Sequence, residues 1–81
     1  MITAEEEHAG LEASLEREQA YYTLYRQLYG QKAPDTVKAG NNVYRLYEKA
    51  VHDYCIPEHT VANIIDRGTN AGMNEYLAIF D

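Results

Sequence analysis

The segment of residues 11–29, LEASLEREQAYYTLYRQLY, determines the predicted fold class. Its large apolar and aromatic side chains recur at intervals of 4, 7, 3 and 4 residues, at Leu11, Leu15, Tyr22, Tyr25 and Tyr29. This spacing marks one face of an α-helix, whereas a half-buried β-strand alternates apolar and polar residues at period two. Because no stretch of the sequence alternates in that way over the length of a strand, we predict an all-α protein.

Capping and helix-breaking residues limit the first predicted helix. Thr3 and Glu6 have the spacing of a capping box, in which a hydroxyl and a carboxylate bind free backbone amides at the helix start. Gly30 begins a helix-breaking segment, so the helix should end just before it. Such a helix is longer than a compact domain of this size, and we expect it to bend near Gly10 or residues 1–10 to project.

The same signals predict three further helices. Asp35 or Thr36 can cap a second long helix, which ends before Pro57. A short third helix extends from Pro57 to a C-cap at Gly68, and a short fourth helix follows. We therefore predict that residues 1–81 form a single domain, a small helical bundle. Its two longer helices form a hairpin, across which two short C-terminal helices pack.

The apolar core of this bundle should be thin. Leu, Ile, Val and Phe together account for 16 of the 81 residues, and eight tyrosines supply most of the aromatic surface. A tyrosine hydroxyl needs water or a polar partner, so we expect these rings at the rim of the core. A domain of this size buries only ~60% of the surface of its unfolded chain. Dimerisation or binding of a partner would therefore add stability.

Charge and composition exclude several classes of protein. Thirteen acidic and seven basic residues give a net charge of -6, whereas nucleic-acid-binding domains are usually basic. Residues 1–20 hold six of the acids and a single base. One cysteine excludes an internal disulfide framework, and no apolar run reaches the ~20 residues that span a bilayer. With no signal-peptide pattern, we expect a cytoplasmic protein without a membrane anchor.

His52, Cys55 and His59 form the densest group of metal-ligating residue types. A helix would place His52 and Cys55 on one face, and three such ligands could hold zinc with an open position. We favour a buried structural cysteine between two surface histidines, because structural zinc sites normally have a second pair of ligands. The sequence also has no phosphate-binding loop and no nucleophile elbow. We therefore predict no metal, no cofactor and no enzymatic activity.

The first helix carries the features that predict a protein-binding role. Tyrosine and arginine are favoured at protein interfaces, and carboxylates on a projecting helix create a field that attracts a basic partner. The predicted contact residues are Tyr21, Tyr22, Tyr25 and Arg26, and the predicted steering carboxylates are Glu5, Glu12 and Glu16. We interpret the chain as a small acidic adaptor, inhibitor or regulator. In one version it occupies the basic surface of a nucleic-acid-binding protein.

A DNA-binding regulator is the alternative interpretation. Residues 58–80 can be read as a helix-turn-helix with its turn at residues 68–70. The second helix of this motif would offer Asn74 and Glu75 but no lysine or arginine, which recognition helices normally use on phosphates and base edges. Direct binding to nucleic acid is therefore the weaker interpretation, and a homodimer is compatible with either.

Overall fold

A computed structural model describes residues 3–80 of the chain, and this part contains helices but no strand. The elements are α1 (Ala4–Tyr29), α2 (Pro34–Glu48), a π-helical segment (Lys49–Asp53) and α3 (Glu58–Ile79). The all-α prediction is confirmed. Within the described range, no helix is both long enough and apolar enough to cross a membrane.

Helix α1 has the predicted limits. The Thr3 hydroxyl oxygen accepts a hydrogen bond from the backbone N–H of Glu6 at 3.1 Å, which satisfies one of the free amides of the first turn. The helix then continues unbroken to Tyr29. Gly30 ends it with φ 93° and ψ 163°, a conformation that essentially only glycine adopts. Near the start of α1, the half-buried His8 ring stacks on Tyr54 at 5.0 Å.

Helix α2 begins before the N-cap position that was predicted at Asp35 or Thr36. Pro34 is its first residue and Ala33 occupies the N-cap position, so neither Asp35 nor Thr36 caps the helix. Proline is favoured at the first helical position because its ring fixes a helical φ and its missing N–H would be unpaired there in any case. Thr36 instead points inward and is fully buried.

The prediction of two short C-terminal helices was wrong, because α3 runs through Gly68 without a break. A Cβ at Gly68 would lie 2.6 Å from the carbonyl oxygen of Glu16, and one at Gly72 would lie 2.5 Å from that of Ala20. Real Cβ atoms do not approach that closely. The two glycines are therefore required by the close contact between α3 and α1, and Gly68 does not terminate a helix.

The three helices form an up-down-up arrangement in which α2 and α3 both pack on α1. Gly40 of α2 lies against the Tyr22 ring, and Ala50 in the π-helical segment that follows α2 packs in the cluster that contains Leu11, so α2 is antiparallel to α1. Arg67 of α3 binds Glu16, and further along, Gly72 lies against Ala20, so α3 is parallel to α1. Both helices pack on α1 but barely contact each other.

The prediction of a buried cysteine was also wrong. Cys55 is exposed and has a positive φ of 53°, in the left-handed region that lets the chain turn sharply after the π-helical segment. The turn is closed by the backbone N–H of Ile56, which donates to the carbonyl of Ala50 at 2.9 Å. This geometry buries the Ile56 side chain and leaves the Cys55 side chain in solvent.

The buried core lies at one end of the molecule, which we call the closed end. It joins the first half of α1, the π-helical segment and the start of α3, and its buried members are Leu11, Leu15, Ala50, Ile56, Val61 and Ile64. Six partly buried side chains pack around this cluster: Val43, Leu46, Tyr47, Val51, Tyr54 and Ile65. At the other end, where α1 and α3 finish and α2 begins, this cluster has no member, and we call it the open end.

Candidate functional site

An apolar groove of about 360 Å³ adjoins the closed end, and three of its lining residues, Val43, Tyr47 and Ile65, also pack on the buried core. Its floor is α1, and its two walls are α2 and α3. The residues that line it are Gln19, Tyr22, Gly40, Val43, Tyr44, Tyr47 and Ile65. Because α2 and α3 are both held on α1 and barely touch each other, the groove lies in the gap between the two flanking helices.

One glycine and one side-chain amide shape the groove where α2 and α3 meet α1. At Gly40 a Cβ would lie 3.1 Å from the Tyr22 ring, so the missing side chain lets this ring pack directly on the α2 backbone. The Gln19 amide nitrogen donates to the hydroxyl oxygens of Thr69 at 3.1 Å and Thr23 at 3.3 Å. These bonds tie the polar end of Gln19 to α3 and α1.

Among residues 3–80, no charged side chain lines the groove, and the lining residues have both acids and bases as sequence neighbours, Glu18, Arg45, Glu48 and Asp66. Glu48 follows Tyr44 by one helical turn, and its carboxylate lies 3.0 Å from the His52 ring nitrogen. Asp66, which follows Ile65, is exposed. At the open end, the Arg26 guanidinium lies 5.6 Å above the Tyr22 ring, within the range of a cation–π contact.

The predicted contact residues separate into two pairs on adjacent faces of α1. Tyr22 lines the groove and Arg26 covers its ring, as expected for residues four apart on a helix. Tyr21 and Tyr25 stack on each other at 6.0 Å outside the groove, and Tyr29 continues this row. The structure therefore brings only the first pair to the groove.

The predicted steering carboxylates also have different environments. Glu5 is exposed in the first turn of α1, where its charge complements the helix dipole. Glu12 is half-buried. The Glu16 carboxylate accepts a bond of 2.9 Å from Arg67 of α3, so its charge is already paired. None of the three lines the groove.

The histidine and cysteine side chains do not form a metal site in the part of the chain that the structure describes. No group of three or more His, Cys, Asp or Glu side chains within residues 3–80 is arranged to hold a metal ion. The His52 ring instead contacts Glu48, while His59 and Cys55 are exposed.

Several groove residues were not among the predicted contacts. Tyr44, Tyr47 and Val43 follow the helical spacing of α2, and sequence periodicity assigns such residues to a core face. Periodicity identifies an apolar face but does not show whether another helix covers it. The sequence feature that could have indicated the groove is the number of tyrosines, eight in all. Aromatic rings with polar ends suit a surface that faces water in the free protein and a partner in the complex.

The chain has no match among protein-family models, curated proteins or solved structures. The surface of the molecule, its charge and its packing are therefore the basis on which a function can be inferred.

Proposed function

We propose that the protein is a non-catalytic binding module whose groove receives an amphipathic helix of another protein. The observation that carries the proposal is the apolar gap between α2 and α3, which is walled by the rings of Tyr44 and Tyr47 and floored by Tyr22. Tyrosine side chains supply large contact areas with few rotatable bonds and are enriched among residues that dominate binding energy.

The helical arrangement supports a helix as the occupant. Three helices packed side by side leave one long depression between the outer two, and four-helix bundles fill such a depression with their fourth helix. Amphipathic helices bind grooves of this kind with apolar side chains spaced three, four and seven residues apart. The exposed Tyr44 ring, with 67% of its surface accessible, would become buried when a helix binds.

Charge complementarity favours a partner helix with basic flanks. The chain carries a net charge of -6, although two bases lie near the groove, Arg26 over the Tyr22 ring and Arg45 next to Tyr44 in the sequence. A second copy of the chain would bring a further -6 to the interface, whereas a lysine- or arginine-rich helix would be attracted and steered to the groove. We propose that this interaction takes place in the cytoplasm, where an exposed free thiol such as that of Cys55 stays reduced.

The DNA-binding alternative has less support. It requires a turn at residues 68–70, where α3 is continuous. The only base on α3 is Arg67, and its guanidinium is bound to Glu16. An inhibitor that occupies a basic nucleic-acid-binding surface agrees better with the charge, and it would compete with nucleic acid for its partner.

Binding of a designed helix tests the proposal directly. The probe is a fluorescent peptide of about 18 residues with leucines at helical spacing and lysines on its polar face; a scrambled peptide of the same composition is the control. We expect saturable binding by anisotropy for the helical peptide and much weaker binding for the scrambled one. Added salt should weaken the complex, because opposite charges attract less when they are screened.

Two tyrosine variants provide a matched comparison. Tyr44 and Tyr29 are both exposed, but only Tyr44 lines the groove. We expect Tyr44→Ala to weaken peptide binding about tenfold and Tyr29→Ala to change it by less than about twofold. Equal losses in the two variants, or equal binding of the scrambled peptide, would contradict the proposal. Light scattering that shows a dimer, lost in Tyr44→Ala, would assign the groove to a second copy instead.

A further inference from the structure

A second cleft, of about 380 Å³, lies on the other side of α2 from the apolar groove. It is formed between α1 and α2, and none of its lining residues is shared with the groove. Its polar and charged lining side chains are Ser14, Arg17, Glu18, Asn42, Arg45 and Lys49. Three of the seven basic residues of an acidic chain therefore surround one cleft.

In the part of the chain that the structure describes, the bases of this cleft lack carboxylate partners. Within residues 3–80, the pairs that lie within 4.0 Å are Arg67 with Glu16 and His52 with Glu48, so Arg17, Arg45 and Lys49 have none. Glu18 also lines the cleft, and the local balance of three bases and one acid is positive. With acids outnumbering bases almost two to one in the chain, unpaired bases gathered at one place form a distinct feature.

All three bases are exposed, and neighbouring side chains contact two of them. The Arg45 guanidinium donates to the Asn42 side-chain oxygen at 3.2 Å, which uses one of its five N–H groups. The Lys49 ammonium lies 5.8 Å above the Tyr54 ring. Both contacts orient the cationic groups without neutralising their charge, so they stay available to an anion.

We propose that this cleft binds a small phosphorylated ligand. Two guanidinium groups, an ammonium and the Ser14 hydroxyl offer more donors than one carboxylate accepts, whereas a phosphate group has three terminal oxygens and up to two negative charges. A volume of about 380 Å³ is at the lower end of the range of small-molecule sites. The cleft is separate from the groove, so this activity goes beyond the proposed binding of a helix.

The test is a titration of the isotope-labelled protein with inorganic pyrophosphate, followed by NMR at low ionic strength. We expect saturable shifts in the backbone amides around Ser14, Asn42 and Arg45, with a dissociation constant of about 1 mM or below. Shifts that spread over all exposed bases without saturating by about 10 mM would overturn the proposal.

Two lysine variants with the same change in net charge provide the control. Lys49 lines the cleft, whereas Lys32 is exposed in the loop between α1 and α2. We expect Lys49→Gln to weaken pyrophosphate binding about tenfold and Lys32→Gln to weaken it by less than about twofold. Equal effects would show diffuse attraction and contradict a site.

Two further measurements distinguish this proposal from nucleic-acid binding and from the proposed helix binding. A short single-stranded oligonucleotide carries the same phosphate chemistry, and binding tighter than that of pyrophosphate at the same amides would assign the cleft to nucleic acid and overturn a small ligand. Tyr44→Ala removes a groove residue and should leave the pyrophosphate titration unchanged. Failure of helix binding and failure of anion binding are therefore separate results.

Discussion

The closed and open ends of the molecule use the same three helices in opposite ways. At the closed end, aliphatic side chains such as Leu15 and Val61 are fully buried against one another. At the open end, the same α1 and α2 present the rings of Tyr22 and Tyr44 to a groove. The large aliphatic core therefore lies in one half of the bundle, whereas the other half buries small side chains such as Thr23, Thr36 and Ala39 and leaves part of its aromatic surface exposed.

The type of side chain explains this division. Aliphatic residues lose nothing polar when they are buried, whereas each tyrosine ring ends in a hydroxyl that needs a partner. A groove lined with tyrosines can therefore be wetted in the free protein, and a partner can cover the rings if their hydroxyls stay in water or gain a hydrogen bond. The aliphatic cluster at the closed end has to stay buried, so truncating its side chains should strongly lower the free energy of unfolding.

Truncation of the closed-end core should have the largest effect. Leu15 is 0% exposed, and Leu15→Ala removes its transfer energy and leaves a cavity. We expect a loss of about 3–5 kcal/mol in the free energy of unfolding, measured by urea denaturation. This is a large share of the roughly 5–15 kcal/mol that stabilises a small domain. A loss below about 1 kcal/mol would show that the core lies elsewhere.

The contact between α3 and α1 should give the next largest effect. A Cβ at Gly72 would lie 2.5 Å from the carbonyl oxygen of Ala20, so Gly72→Ala has to push the two helices apart. We expect it to destabilise the protein by about 1–3 kcal/mol, as overpacking does.

Gly10 provides the matched control for Gly72→Ala. It also lies inside a helix, but a Cβ there would have no atom within 4 Å. Gly10→Ala should therefore stabilise the protein by up to about 1 kcal/mol, because alanine has the higher helix propensity. If both variants shift the urea midpoint in the same direction, the close contact of α3 with α1 is not required for the fold.

Gly68 and Gly72 show which parts of the fold the sequence predicts and which it does not. Helical periodicity and the Thr3 cap predicted the fold class and the limits of α1, because both are local properties of the chain. Gly68 was interpreted as a helix end, the common role of glycine, although Gly68 and Gly72 are four apart and share one helix face. Choosing between a cap and a close helix contact requires knowledge of the neighbouring helix.

The candidate site could be predicted only in part, because it too depends on how the helices pack. Of the predicted contact residues, Tyr22 lines the groove and Arg26 covers its ring, whereas periodicity alone assigns Tyr44 and Tyr47 to the core, on which Tyr47 does pack. The cationic cleft joins Arg17 with Arg45 and Lys49, which lie 28 and 32 positions further along the chain. Such a grouping depends on the antiparallel packing of α1 and α2.

Truncation at the open end should have the smallest effect on stability. Tyr44 has 67% of its surface exposed in the free protein, so Tyr44→Ala removes little buried area. We expect the free energy of unfolding to change by less than about 0.5 kcal/mol, the usual range for surface substitutions. The same variant should lose about tenfold in affinity for the basic helical peptide, because the ring becomes buried only in the complex. A destabilisation above about 1.5 kcal/mol would place Tyr44 in the core of the free protein, and the division between a stable end and a binding end would then fail.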